Sequence, residues 1–173
     1  MQGAVQTPLQ PGGFMRLFAL LALLPLPALA DPLAGKSYII EMSSSQMASG
    51  YGEYLIPPLA RALAGSPMRP QNGPGADLVV NIVTDSDVGR WVEGAGGRVW
   101  LYTISVTVGI SPGETVLPYD GTPVFGARAV LQTPNPDRED ELRCLITLAA
   151  KTALAEYRPK GRVKVDGAAC GRG

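Results

Sequence analysis

Between residues 98 and 110 the side chains alternate with a period of two. Trp100, Tyr102, Ile104, Val106, Val108 and Ile110 interleave with Leu101, Thr103, Ser105, Thr107 and Gly109. Successive residues of a strand point to opposite faces, so this is a long strand with one apolar face and one mostly hydroxylated face. Such a strand suits an antiparallel sheet packed on one side and wetted on the other. Phe125, Ala127, Ala129 and Leu131 repeat the pattern within a strand over 122–133. KSYIIEM at 36–42 and the apolar run 76–84 read as two further strands. GRVKVDG at 161–167 alternates Val163 and Val165 with Arg162, Lys164 and Asp166, the pattern of a short edge strand.

Two segments carry a helical period instead. Tyr54, Leu55, Leu59, Ala62 and Leu63 fall on one face; Pro57 and Pro58 place the start or a kink of the regular helix there, and Gly65 closes it. In the second, Leu142, Leu145, Ile146, Ala149, Ala153 and Tyr157 form a stripe. Asn135 is positioned to cap it, Pro136 to open it, and Asp137, Glu139 and Asp140 to meet the helix dipole. The Pro/Gly-rich stretch 66–75 and the polar interval 88–97 read as loops. The order β-α-β-β-β-α-β predicts an α+β two-layer sandwich, a mainly antiparallel sheet with two helices on one face. In element order alone the chain resembles small exported domains of bacterial envelope assembly such as the N-terminal domain of TolB; no family motif accompanies that order.

The first thirty residues belong to targeting. Met15-Arg16 precedes an apolar run that ends in Ala28-Leu29-Ala30, which predicts a secretory signal peptide cleaved after Ala30, with Met15 a candidate start of translation. The run is shorter than the ~20 residues a bilayer span needs and carries Pro25 and Pro27, so no membrane span is expected in the mature chain. No cysteine stands at the cleavage point to take a lipid. What remains, 31–173, is the size of one domain, expected in the periplasm or secreted. In an oxidising compartment its two cysteines are expected to pair as Cys144–Cys170. At about 100° per residue, Cys144 lies away from the apolar stripe of its helix and faces outward.

Charge narrows the function. Fifteen basic and fifteen acidic residues cancel, which gives no electrostatic reason to bind nucleic acid. The acidic cluster Asp137, Glu139, Asp140 and Glu141 and the basic tail Arg158, Lys160, Arg162 and Lys164 read as solvated surface. The chain has no histidine, which closes Ser-His-Asp and Cys-His catalysis and the common zinc sites. Asp85-x-Asp87 after an apolar strand is the arrangement that holds a divalent metal in nucleotide-sugar transferases. The competing reading ends the strand at Thr84 and turns the chain with the aspartates. Glu41, Glu53 and Glu93 are the remaining candidate carboxylates for acid–base hydrolysis. SSSQMASGYG at 43–52 sits where an anion can meet a helix start but lacks a phosphate-loop lysine. Met42, Met47 and Met68 are too dispersed for a copper site. Trp91, inside the polar interval, reads as an exposed anchor for a partner. The expectation is an exported, non-enzymatic binding or envelope-assembly module with a protein partner and no cofactor. The alternative is a small carboxylate-dependent hydrolase or transferase, with or without a divalent metal.

Overall fold

The structure, a computed structural model, describes residues 31–42, 52–114, 123–135 and 138–171. Strand β1 (Ser37–Glu41) is followed by helix α1 (Gly52–Ala64), the two-residue strand β2 (Arg69–Pro70), and β3 (Leu78–Ser86). β4 (Arg90–Gly94), the 16-residue β5 (Gly97–Pro112), β6 (Phe125–Thr133), helix α2 (Glu139–Ala155), β7 (Gly161–Asp166) and a 3-10 turn (Ala168–Gly171) complete the chain. The sheet has seven strands in the order β2-β1-β3-β5-β6-β7, with β4 paired to β5.

This is the α+β sandwich the hydrophobic pattern predicts, with two additions. The sheet is mixed: β3, β4 and β6 run antiparallel to β5, while β1–β2, β1–β3 and β6–β7 run parallel. Each helix follows a strand whose next long neighbour is parallel, β1-α1-β3 and β6-α2-β7, because a parallel return needs a crossover connection. Two short strands also lie inside expected loops. β2 falls in the 66–75 stretch and survives its proline because Arg69 and Gln71 donate their N–H groups to Lys36 and Tyr38 of the β1 side. Pro70, between them, occupies the position that donates to no neighbour, where an edge strand tolerates proline. β4 falls in the 88–97 interval.

Both helices cover one face. Val80, Ile82, Val106, Val108 and Ile110 are nearly or fully buried there with Phe125. Ala127 and Ala129 on β6 and Ala149, Ala150 and Ala153 on α2 are all fully buried, so small side chains on both elements allow a close helix–sheet approach. Helix α1 begins before Pro57 and Pro58 and passes through them, burying Leu55, Pro58, Leu59 and Leu63. Its packing therefore offsets the lost N–H groups that placed its start at the prolines. Helix α2 is capped at Arg138, with no side-chain cap bond, rather than at Asn135. Asn135 instead donates its N–H to Thr133 Oγ1 at 3.1 Å.

The chain's end serves two elements. β7 pairs with β6 at the sheet edge, Gly167 donates to the Val130 carbonyl at 2.8 Å, and the 3-10 turn delivers Cys170 to Cys144. The two cysteines are disulfide-bonded, with Cα atoms 5.6 Å apart.

Candidate interaction arm

β5 is longer than the strands that flank it. Tyr102–Pro112 pairs with β3 and β6, whereas Gly97–Leu101 pairs with β4 alone, so residues 87–101 form a two-stranded arm extending the sheet. A two-residue link, Ala95-Gly96, closes the hairpin between Gly94 and Gly97.

At the root of the arm lies the Asp-x-Asp pair. β3 does not end at Thr84: Asp85 and Ser86 stay in the ladder, opposite Ser105 and Ile104. Between Ser86 and Arg90 the chain has three residues against two on β5, so one extra residue forms a β-bulge. Asp87 holds it together. Its N–H donates to the Thr103 carbonyl at 3.0 Å, while its Oδ1 accepts the N–H of Thr103 at 2.7 Å and that of Gly89 at 3.0 Å. The carboxylate thus stands in for a backbone carbonyl displaced by the bulge. These bonds, Thr103 first and then Gly89, together with the nearby Arg90 charge, hold its pKa below the usual carboxylate range. Gly89 has φ +86°, and a Cβ there would fall inside the Trp100 indole, so both conformation and space require glycine.

Asp85 serves a different purpose. Its side chain lies on the sheet face opposite the helices, 3.7 Å from Arg128 Nη2, which donates to Ser105 Oγ at 2.9 Å. Of the other candidate carboxylates, Glu93 pairs with Arg98 at 3.1 Å on the arm, Glu41 ends β1, and Glu53 is exposed in the first turn of α1. Among the described residues no group of three His, Cys, Asp or Glu side chains gathers as metal ligands. Met68 is buried in the core, Met42 packs against it, and residues 43–51, with Met47, lie outside the described residues. So do the residues of the expected signal peptide, including Ala30.

Glu141 departs from the solvated reading of its cluster. It is buried and accepts a 2.7 Å hydrogen bond from Thr133 Oγ1, which ties the first turn of α2 to the end of β6. Glu139 and Asp140 remain on the surface and share Arg143 at 2.8 and 3.1 Å.

Three of the four large exposed hydrophobic side chains among the described residues sit on the arm: Val88 at 88 %, Trp91 at 57 % and Val99 at 42 %. Register sorts them by face. Trp91 stands opposite Trp100 and Glu93 opposite Arg98 on one face; Arg90 stands opposite Leu101 and Val92 opposite Val99 on the other. The two indoles meet edge-to-face at 5.3 Å, Arg98 lies 5.8 Å from the Trp91 ring, and Arg138 stacks at 4.6 Å on Tyr102 where the arm joins the sheet. The first face is therefore an aromatic ladder bordered by the Glu93–Arg98 pair, and the second is a valine strip.

No protein family matches the sequence, and no curated protein is similar to it. Among solved structures, a minor lipoprotein from Acinetobacter baumannii is similar at 14% identity over 73% of this chain and 98% of that chain, with a TM-score of 0.42. At that level the likeness fixes neither fold nor role. Among the described residues no helix is long and apolar enough to cross a membrane.

Proposed function

We propose that the mature chain, 31–173, is an exported, non-enzymatic binding or assembly module of the cell envelope that meets a protein partner through the 87–101 arm. The observation that carries this is the exposure of Val88, Trp91 and Val99 on a part of the sheet the helices do not cover. Clustered exposed apolar side chains mark contact surfaces, and tryptophan is enriched among the residues that dominate binding energy. The pre-paired indoles lose little conformational freedom on docking. Export is supported by the leader-like residues 15–30 and by the Cys144–Cys170 bond, which suits an oxidising compartment. The carboxylate-dependent alternative has less support, because Asp87 bonds the bulge backbone and Asp85 lies 3.7 Å from Arg128.

The test is photocrosslinking in the producing cell. A photoreactive residue at position 91 or 99 should give protein adducts that are absent when it is placed at exposed Lys160. Equal adducts at all three positions, or none on the arm, refute the arm as an interaction surface. Amino-terminal sequencing of the recovered protein should begin at Asp31; an uncleaved, membrane-bound product refutes export.

A further inference from the structure

We infer that the partner of the arm is a second copy of this chain, paired antiparallel along the free edge of β4; this rests on the arm being the interaction surface. The three ends of the sheet differ. β7 carries Arg162, Lys164 and Asp166 outward, and β2 has two residues, one of them proline. Charge, shortness and proline are the devices that keep a sheet edge from pairing. β4 has five residues and no proline; of its two charged side chains, Arg90 and Glu93, Glu93 is already paired with Arg98 within the arm, and the β4 edge away from β5 pairs with no strand among those described. On the other side of the arm the β5 edge is taken by β6 as far as the Thr133–Tyr102 pair, and the chain continues there through Pro134.

Hydrogen-bond phase limits the register to those that pair the outward-facing backbone groups of β4 with each other. Thr103 turns both its N–H and its C=O toward Asp87, so the odd-numbered residues of β5 face the β3–β4 side. Val99 and Leu101 then bond Val92 and Arg90, which leaves the N–H and C=O groups of Trp91 and Glu93 pointing outward. A two-fold axis normal to the sheet keeps each face matched to itself; of the registers it allows, the one with Val92 opposite Val92 of the second copy sets Glu93 beside Trp91 rather than beside a second Glu93. Trp91 of each copy then exchanges both backbone bonds with Glu93 of the other.

The side chains fit this symmetry. On the aromatic face each row reads Arg98, Glu93, then Trp91 and Trp100 of the second copy, so no like charges meet directly. On the opposite face Val99 and Val92 of both copies make one continuous apolar strip. Val88, the most exposed apolar side chain of the arm, comes beside the Ala95-Gly96 link of the second copy. Self-complementarity of this kind is what an isologous interface requires. Five residues a side is small for a specific interface, so the dimer should dissociate on dilution.

The experiment is light-scattering mass measurement on the disulfide-bonded mature protein, with Val92→Lys and Val92→Glu variants. Val92 bonds inward to Val99, so these substitutions keep the hairpin ladder; the far-ultraviolet couplet of the Trp91–Trp100 pair reports that the arm is intact. The wild-type protein should show twice the monomer mass at high concentration. Each variant alone should be monomeric, because two like charges meet on the axis, and their mixture should recover the dimer. A monomeric wild-type protein at every concentration, or variants that dimerise alone, overturns the inference. If arm crosslinks to a different protein persist while the wild type is monomeric, self-pairing fails and the broader role of the arm stands; if position 91 crosslinks to nothing, both fail.

Discussion

Breaking the Cys144–Cys170 bond should lower stability by about 3.5 kcal/mol. The bond closes a loop of 26 residues, and restricting such a loop in the unfolded chain removes roughly 12 cal/mol/K of entropy, or about 3.5 kcal/mol at 25 °C. Cys144 is exposed on α2 and Cys170 is buried in the 3-10 turn, so the loop encloses the rest of α2 and all of β7. At about 3 °C per kcal/mol for a domain of this size, the melting temperature should fall by about 10 °C. The assay is thermal unfolding of the oxidised protein, the reduced and alkylated protein, and Cys144→Ser. Because the stabilisation resides in the unfolded chain, the last two should lose similar amounts. An unchanged melting temperature in both the reduced and alkylated protein and Cys144→Ser would refute the reasoning.

Thr133→Val should destabilise by about 1–3 kcal/mol in urea unfolding, because it preserves shape while removing the hydroxyl that donates to buried Glu141. A cost near zero would show that Glu141 finds another donor. Gly89→Ala should cost about 2 kcal/mol or more within the arm, combining the left-handed backbone with the clash against Trp100; the indole couplet should vanish while the main melting transition stays. Acid sensitivity should involve Asp77 and Asp87, both held below the usual carboxylate range, Asp77 by bonds from the Ser37 N–H and hydroxyl and Asp87 by Thr103. Since the folded pKa is depressed, the unfolded chain takes up protons first as pH falls. Their contribution is complete above the ordinary aspartate range and lost as pH drops through the folded value. Asp87→Asn should therefore flatten the stability–pH slope below about pH 4, and an unaltered slope would contradict the role given to Asp87.

The long strands were readable because burial on one side imposes alternation. β5 holds its apolar phase from Tyr102 to Ile110, and β6 from Phe125 to Leu131, since helices cover that face. β4 gave no such signal for the converse reason: with water on both faces, RWVEG has no inside to alternate with. The cue that identifies it is indirect, a glycine-rich link between two tryptophans at matching distances from it. The aspartates were ambiguous because a bulge depends on what lies across the ladder. Gly89, two residues beyond Asp87, was the local mark of a left-handed turn there. Glu141 could not be placed from sequence, since its donor Thr133 reaches it only after β6 and α2 pack together.

The fold therefore divides its apolar residues between two tasks. Those on the helix-facing side of β3, β5 and β6 are almost wholly excluded from water and hold the domain together. Those on the arm remain in water although β5 could have begun at Tyr102, where its pairing with β6 starts. Extending β5 by five residues adds a local ladder and an indole pair but no burial in the main core. It also requires a bulge held by one aspartate and a glycine in a conformation other residues resist. A feature that adds little to the core and demands special residues at its root is what the proposed contact surface accounts for, and Trp91 and Val92 are the positions at which that proposal is tested.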